Sequence, residues 1–348
     1  MSDWQNLHTL KQEFAEAGEP ALLFSIVDIQ GSSYRKLGAH MLIGKSGRQA
    51  GTISAGCLES DLLSQIDDFF AGALPRVVSY DNRGDDVFAL NAGCAGAICI
   101  LIEDAFADSQ NPLAVFADTV LAERTTGTLA TIIDGPANLV GTRLSPEQTG
   151  QLIRDHNLLK TTVVDTTLDE ETSIKIAVEF IQPPLRLIIF GAQQDGRLLA
   201  QLAANTGMTV VLVDWRPRLL EEKFSAVETL RRRGEQLQEI ATDSRTAIVI
   251  MSHNFEEDKA ALSCILKITH ALPYRGIMGP RKRTMQMLTD LDCLGRAEDL
   301  NFPVGLDIGA DSPEEIAVSI VAEIISVLAR TSSRSLCEKG APIHASVS

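Results

Sequence analysis

Apolar and polar residues alternate through Ile174-Lys175-Ile176-Ala177-Val178-Glu179-Phe180, and after Pro183-Pro184 they give way to a run over 185–190 that is apolar but for Arg186. The first pattern predicts a half-buried strand, the second a strand covered on both faces. The two prolines end one element without starting another, so they mark a boundary between a domain over 1–182 and a domain over 183–331, with 332–348 as a flexible Ser-rich tail. Past that boundary the pattern reads strand 185–191, helix 196–206, strand 209–214, and further strands at 247–251 and 276–279. Loops this short between strand and helix imply parallel pairing with right-handed crossovers, hence a Rossmann-like sheet. The run Ser312-Pro313-Glu314-Glu315 predicts the start of the last helix, with a hydroxyl cap, proline in the first turn and acids facing the helix dipole.

Ahead of the prolines there is no such alternation. Strands are expected at 22–28, 41–44, 76–79 and 97–103, and a hairpin of 128–133 with 139–142 around Gly135-Pro136. Helices are expected near 5–17, 59–71, 112–123 and 146–158. The fold class is α/β, an N-terminal α+β domain followed by a Rossmann-like parallel-sheet domain.

Composition narrows the function. The 348 residues are 45% hydrophobic and 22% charged, which suits two packed domains and excludes a disordered chain. A net charge of −15 repels phosphate backbones and anionic lipid, so neither nucleic acid nor membrane is an expected partner. The first residues are polar, and no apolar run approaches the roughly 20 residues a bilayer needs. A cytoplasmic protein without an export signal is expected. The charge is unevenly spread: residues 1–182 carry 12 basic and 25 acidic side chains, net −13, while 183–348 carry 19 and 21, net −2. Anionic ligands should therefore prefer the second half. The six cysteines are scattered without a Cys-x-x-Cys pair, as expected of reduced thiols.

Candidate chemistry falls in two groups of loops. In the second half, Gly191-Ala192-Gln193-Gln194-Asp195-Gly196 lies where a dinucleotide fingerprint belongs, and Asp214 ends the next strand at the right separation. The middle glycine is missing: Gln193 puts a side chain where a backbone must approach a pyrophosphate, and Asp195 adds negative charge at the helix start. Arg216 and Arg218 are either phosphate ligands or solvated helix-start residues, and Trp215 either covers an apolar rim or stacks on a heterocycle. His253, after a strand end, is a ligand contact or a structural hydrogen-bonding group. Gly279, Arg281, Lys282 and Arg283 join a glycine turn to three consecutive bases, which suits a phosphate or a solvated helix face.

In the first half, the 31–38 loop offers Ser32, Ser33 and Arg35 as an oxyanion cradle or an ordinary turn. Gly56, Cys57 and Glu59 place a thiol and a carboxylate at a predicted helix start, where the dipole favours a thiolate, a soft metal ligand. Cys94 sits in a second loop of small residues, Asn91-Ala92-Gly93-Cys94-Ala95-Gly96. Either thiol is also readable as a buried small hydrophobe.

Taken together, the segments 304–324, 31–38, Gly56-Cys57-Leu58-Glu59 and 274–283 resemble the XdhC/CoxI family, accessory proteins of molybdenum hydroxylases such as xanthine dehydrogenase. The resemblance implies a small N-terminal domain, a Rossmann domain, and a role as a molybdenum cofactor binding and insertion chaperone rather than a turnover catalyst. It implies support of cofactor sulfuration and maturation of a xanthine dehydrogenase-type enzyme, with the apoenzyme and a cysteine desulfurase as partners. The cofactor would be molybdopterin or its cytosine dinucleotide form, its phosphate tail near His253 and the Gly279 turn and its metal end near Cys57 and Cys94. Two positions depart from the family pattern. Gly-Ala-Gly-His is replaced by Gly191-Ala192-Gln193-Gln194, and Gly-Cys-Gly-Gly by Gly93-Cys94-Ala95-Gly96, where Ala95 loses easy access to positive φ. The alternatives are an NAD(P)-dependent oxidoreductase on the Rossmann domain, or an adaptor between apoenzyme and sulfur donor that binds no ligand. A symmetric homodimer is compatible with the chain, although no residue fixes it.

Overall fold

The computed structural model describes residues 2–31, 33–54, 56–81, 96–106, 111–168, 172–221, 224 and 226–338. The chain divides into two compact units, one over Asp3–Pro183 and the other beginning at Pro184.

The first unit holds two antiparallel sheets. In one, β1 (Ala21–Gly31) lies between β2 (His40–Gly44) and β5 (Gly96–Asp104), with β3 (Gln49–Gly51) and β4 (Arg76–Asp81) at the edges. In the other, β8 (Ser173–Ile181) lies between β6 (Gly127–Asp134) and β7 (Thr162–Thr167). The predicted hairpin is only partly present. Residues 139–144 fold back and hydrogen-bond to β6, but only Thr131 and Arg143 form a bridge, and the strand that pairs along β6 is β8. Helix α1 (Ser2–Ala17) matches its prediction, whereas 59–71 is broken at Gln65 into α2 (Cys57–Ser64) and α3 (Ile66–Ala71). The predicted helix at 112–123 becomes one turn, α4 (Pro112–Val115), followed by a wider π turn over Phe116–Leu121. Helix α5 (Pro146–Asp155) starts at a Ser145 and Gln148 capping box. Polar pairs join the sheets: Lys175 Nζ to Asp28 at 3.1 Å, His40 Nε2 to Glu179 at 2.6 Å, and the buried Arg143 to Glu103 at 2.6 Å.

The second unit is the Rossmann-type sheet expected from the period change. Five parallel strands run in the order β11 (Val227–Arg231), β10 (Thr209–Asp214), β9 (Arg186–Phe190), β12 (Thr246–Ile250), β13 (Tyr274–Ile277). Helices α6 (Gln194–Asn205) and α9 (Pro313–Ala329) cover one face, and α7 (Phe255–Leu266) with α8 (Arg281–Asp290) covers the other. Strand β12 is buried at every residue, and β9 at all but its first, because both faces are packed. The strand order reverses between β9 and β12, so their carboxyl ends form the crevice in which such sheets take ligands. Helix α9 begins as predicted: Ser312 Oγ accepts the Glu315 amide and the Glu315 carboxylate accepts the Ser312 amide.

Candidate functional site

At the β9 end, Gly191 has φ +128°, and a Cβ there would meet the Met251 carbonyl at 2.5 Å. Five residues on, a Cβ at Gly196 would lie 1.9 Å from the Gly191 carbonyl. These two glycines let α6 and the end of β12 close on the turn.

What fills the crevice is a connected polar network. Asp214, fully buried, accepts the Ala192 amide at 2.8 Å and is gripped by Arg216 through its own amide, Nε and Nη2 at 2.8–2.9 Å. The hydrogen bonds to this carboxylate raise the Arg216 pKa against the opposing pull of burial. Gln193 donates its side-chain amide to the Ser252 carbonyl at 3.1 Å, which spans the crevice from the β9 turn to the β12 end. His253, at φ +61°, sets Nε2 2.6 Å from Asp195, whose other oxygen accepts the Gly196 amide. Ser252 in turn donates its amide and hydroxyl to buried Asp258, and Arg283 Nη2 donates to the same carboxylate at 2.7 Å.

Of the sequence-predicted residues, Asp214, Arg216 and Arg283 are joined through Ser252 and Asp258, His253 pairs with Asp195 at the Gly196 amide, and Gly191 shapes the turn. The basic turn offers less spare charge than its letters suggest. Arg283 serves Asp258, Arg281 lies over the Phe302 ring at 4.9 Å, and Lys282 is exposed beyond Gly279 at φ +113°.

The cations gather elsewhere. A pocket of about 790 Å3 beside the β10 and β11 ends is lined by Arg197, Arg216, Arg218, Arg231 and Arg233 together with Trp215, Pro217, Leu219, Gln193 and Gln194. Arg216 stacks over Trp215 at 4.3 Å, and Arg233 pairs with Glu257. Arg231 spends one N–H on the Trp215 carbonyl. Among the described residues neither Arg231 nor Arg218 is ion-paired with a carboxylate. Sequence reasoning noted Arg216 and Arg218 but missed Arg197, Arg231 and Arg233. The signal was the Arg231-Arg232-Arg233 run closing a strand, read past because that strand is polar and short.

In the first unit, Glu59 is buried and holds the 53–56 loop. Its carboxylate accepts the amides of Ile53, Ser54 and Gly56 at 2.7–3.0 Å and the Ser54 hydroxyl. Burial pushes this carboxyl up, but the Ser54 hydroxyl and the amides outweigh it and hold it below the usual carboxylate range. Glu59→Ala should cost about 3 kcal/mol by stranding three amides. The gain from Glu59 is complete above the ordinary glutamate pKa and fades as pH falls through its lowered value. Denaturant melts of wild type and Glu59→Ala should therefore converge in acid.

Gly56 caps α2 at φ +113°, and Cys57 is the first residue of that helix. The Ser33 hydroxyl is buried with no hydrogen-bond partner among the described residues, and Arg35 is half-buried and engaged. Ser32, Cys94 and the Cys57 side chain lie outside the described residues. No group of three His, Cys, Asp or Glu that could hold a metal occurs among the described residues, and no described helix is long and apolar enough to cross a membrane.

Residues 187–324 match the family model of the XdhC Rossmann domain, and residues 14–81 that of the XdhC and CoxI family. A Bacillus subtilis protein described as a probable xanthine dehydrogenase subunit is 32% identical over 339 residues, 93% of this chain and 98% of that protein. The molybdenum cofactor insertion chaperone PaoD of Escherichia coli is 23% identical over 316 residues, 89% of this chain and 84% of that one. A crystal structure of a xanthine dehydrogenase from Bacillus halodurans superimposes with a TM-score of 0.75 at 30% identity, covering 98% of both chains.

Proposed function

The chain belongs to the XdhC and CoxI family, and from that premise we propose that it is an accessory protein of a xanthine dehydrogenase-type molybdoenzyme, one that holds the molybdenum cofactor and hands it to the apoenzyme. The observation that carries this reading is the state of the Rossmann crevice. In a dehydrogenase the acidic residue ending the second strand takes the ribose hydroxyls and the glycine turn admits the pyrophosphate. Here Asp214 is consumed by Arg216 and the Ala192 amide, and Gln193 bridges the turn to Ser252. A nicotinamide oxidoreductase on this sheet is disfavoured by both arrangements.

An anionic cofactor does fit the donor set. Arg218 and Arg231 offer charge that no described carboxylate offsets, and phosphate is bound well by guanidinium forks. The cofactor brings the metal chemistry that the client enzyme uses. The chain's own part would be to hold the phosphorylated tail on the second unit; Cys57 and Cys94 belong to the first, and as thiols they are the residue type suited to soft-metal or sulfur chemistry. Support for sulfuration through a cysteine desulfurase, a dimeric state and a cytoplasmic location belong to the same reading.

The test is expression in a cofactor-producing host with metal and pterin analysis of the purified protein. Wild type should carry both, and Cys57→Ala and Cys94→Ala should retain less at unchanged melting temperature. Excess NAD or NADP should leave the melt in place, although a true ligand at a hundredfold excess over its dissociation constant would stabilise by about 2.7 kcal/mol. A protein without pterin that NADP stabilises would overturn the reading in favour of the oxidoreductase.

A further inference from the structure

From the outward face of α9 we infer that the second unit carries a self-complementary docking surface, on which a second copy of this chain seats its own α9, antiparallel, about a two-fold axis at Ala322. This deepens the dimeric state in the preceding reading by naming its surface, and it does not depend on the cofactor role.

The inward side of α9 is an ordinary core face, with Ala317, Ile320, Val321 and Ile324 buried against the sheet. The outward side is unusual. Val318, Ala322, Ile325 and Ala329 recur at spacings of four, three and four, which sets them in one stripe along the helix. Val318 is 49% exposed and Ile325 44%, so both leave branched apolar surface in water. Charge is missing where a solvent-facing helix usually carries it. From Ile316 to Ala329 the one charged residue is Glu323, and its carboxylate is engaged by the Tyr274 hydroxyl and the Gly305 amide. In a chain that is 22% charged, this is a face kept apolar.

The charges of the helix gather at its two ends and differ in sign. Asp311, Glu314 and Glu315 surround the start, while Arg330 caps the end and Arg334 follows it. Neither Glu314 nor Arg330 is ion-paired among the described residues. That polarity selects the occupant. Laid antiparallel, a second α9 brings its acidic end to the basic end of the first, and does so twice by symmetry. Laid parallel, it would set acid against acid and base against base. Glu314 and Arg330 stand eight residues to either side of Ala322, so the axis falls on a small side chain and the helices can approach to roughly 8–10 Å. Val318 then packs against the partner's Ile325. A helix of 17 residues is only about 25 Å long, so the contact is smaller than an obligate interface and the association depends on concentration.

The experiment is sedimentation velocity of the full-length protein over a range of concentrations, with metal and pterin analysis of the same samples. Wild type should pass from monomer to dimer as concentration rises. Val318→Glu combined with Ile325→Glu should raise the dissociation constant by about a hundredfold or more, since four carboxylates would enter the seam. Both side chains are exposed in the single chain, so this variant should melt as wild type does at a concentration where both are monomeric. Arg330→Glu should weaken association by about tenfold at low salt, two symmetry-related attractions becoming repulsions. Adding Glu314→Arg to it should restore wild-type association, a recovery that antiparallel pairing through α9 requires. The inference is overturned if wild type stays monomeric throughout, which would leave the face to an unlike partner, if the double glutamate variant dimerises as wild type does, or if the charge swap fails to recover. Self-association by a protein without pterin would keep this inference and sink the accessory reading. A wild-type monomer that carries pterin would do the opposite.

Discussion

Gly196→Ala is expected to lower the melting temperature by about 6–12 °C, since about 3 kcal/mol of strain shifts a domain of this size by 2–4 °C per kcal/mol. The cause is a single clash. A methyl group at this position would sit 1.9 Å from the Gly191 carbonyl oxygen, a backbone atom with no rotamer to escape into. Helix α6 would have to slide away from β9, and Leu199, Ala200 and Ala203 would leave the core they share with Leu187 and Ile189. Thermal denaturation of the full chain followed by calorimetry reads this directly. An alanine variant melting with wild type would mean that the turn and helix are not packed as described. Gly56→Ala makes a useful contrast, because nothing lies within 4 Å of its added methyl and only its φ of +113° is strained.

Asp214→Ala should destabilise by about 3 kcal/mol, the lower end of the range for breaking a buried ion pair because Arg216 is partly exposed and recovers some hydration. The loss falls on three groups at once: the Ala192 amide, the Arg216 amide and the Arg216 guanidinium. Urea titration would measure it. Asp214→Asn separates charge from shape, since it keeps one acceptor oxygen but turns an NH2 toward an arginine that can only donate. It is expected to recover at most half the loss. Full recovery by asparagine would show that geometry and not charge holds the turn.

Much of the second unit was legible because its signals are local. Runs such as Leu212-Val213 bury both faces, and the capping residues around Ser312 fix a helix start within a few positions. The break at Gln65 and the π turn after Val115 were not legible, because each answers to tertiary packing around Phe69 and Phe116 rather than to sequence period. The site divided the same way. Its glycines and Asp214 follow from the strand-turn-helix pattern, but the allegiance of each arginine does not. Arg283 looks like a phosphate ligand in the sequence and is bound to Asp258 because Ser252 has already fixed that carboxylate. Arg231 and Arg233, at the end of a strand with little apolar character, carry the pocket instead.

The strand order has a consequence for synthesis. Strand β9 is central, flanked by β10 on one side and by β12 on the other, yet β12 comes last of the three in the chain. As the polypeptide leaves the ribosome, Leu187, Ile188 and Ile189 gain a neighbour on one edge while the opposite row of amides and carbonyls still lacks one. That edge of β9 stays unpaired until Thr246–Ile250 arrives, so the interval between the two events is when the nascent unit is most open to edge-to-edge association.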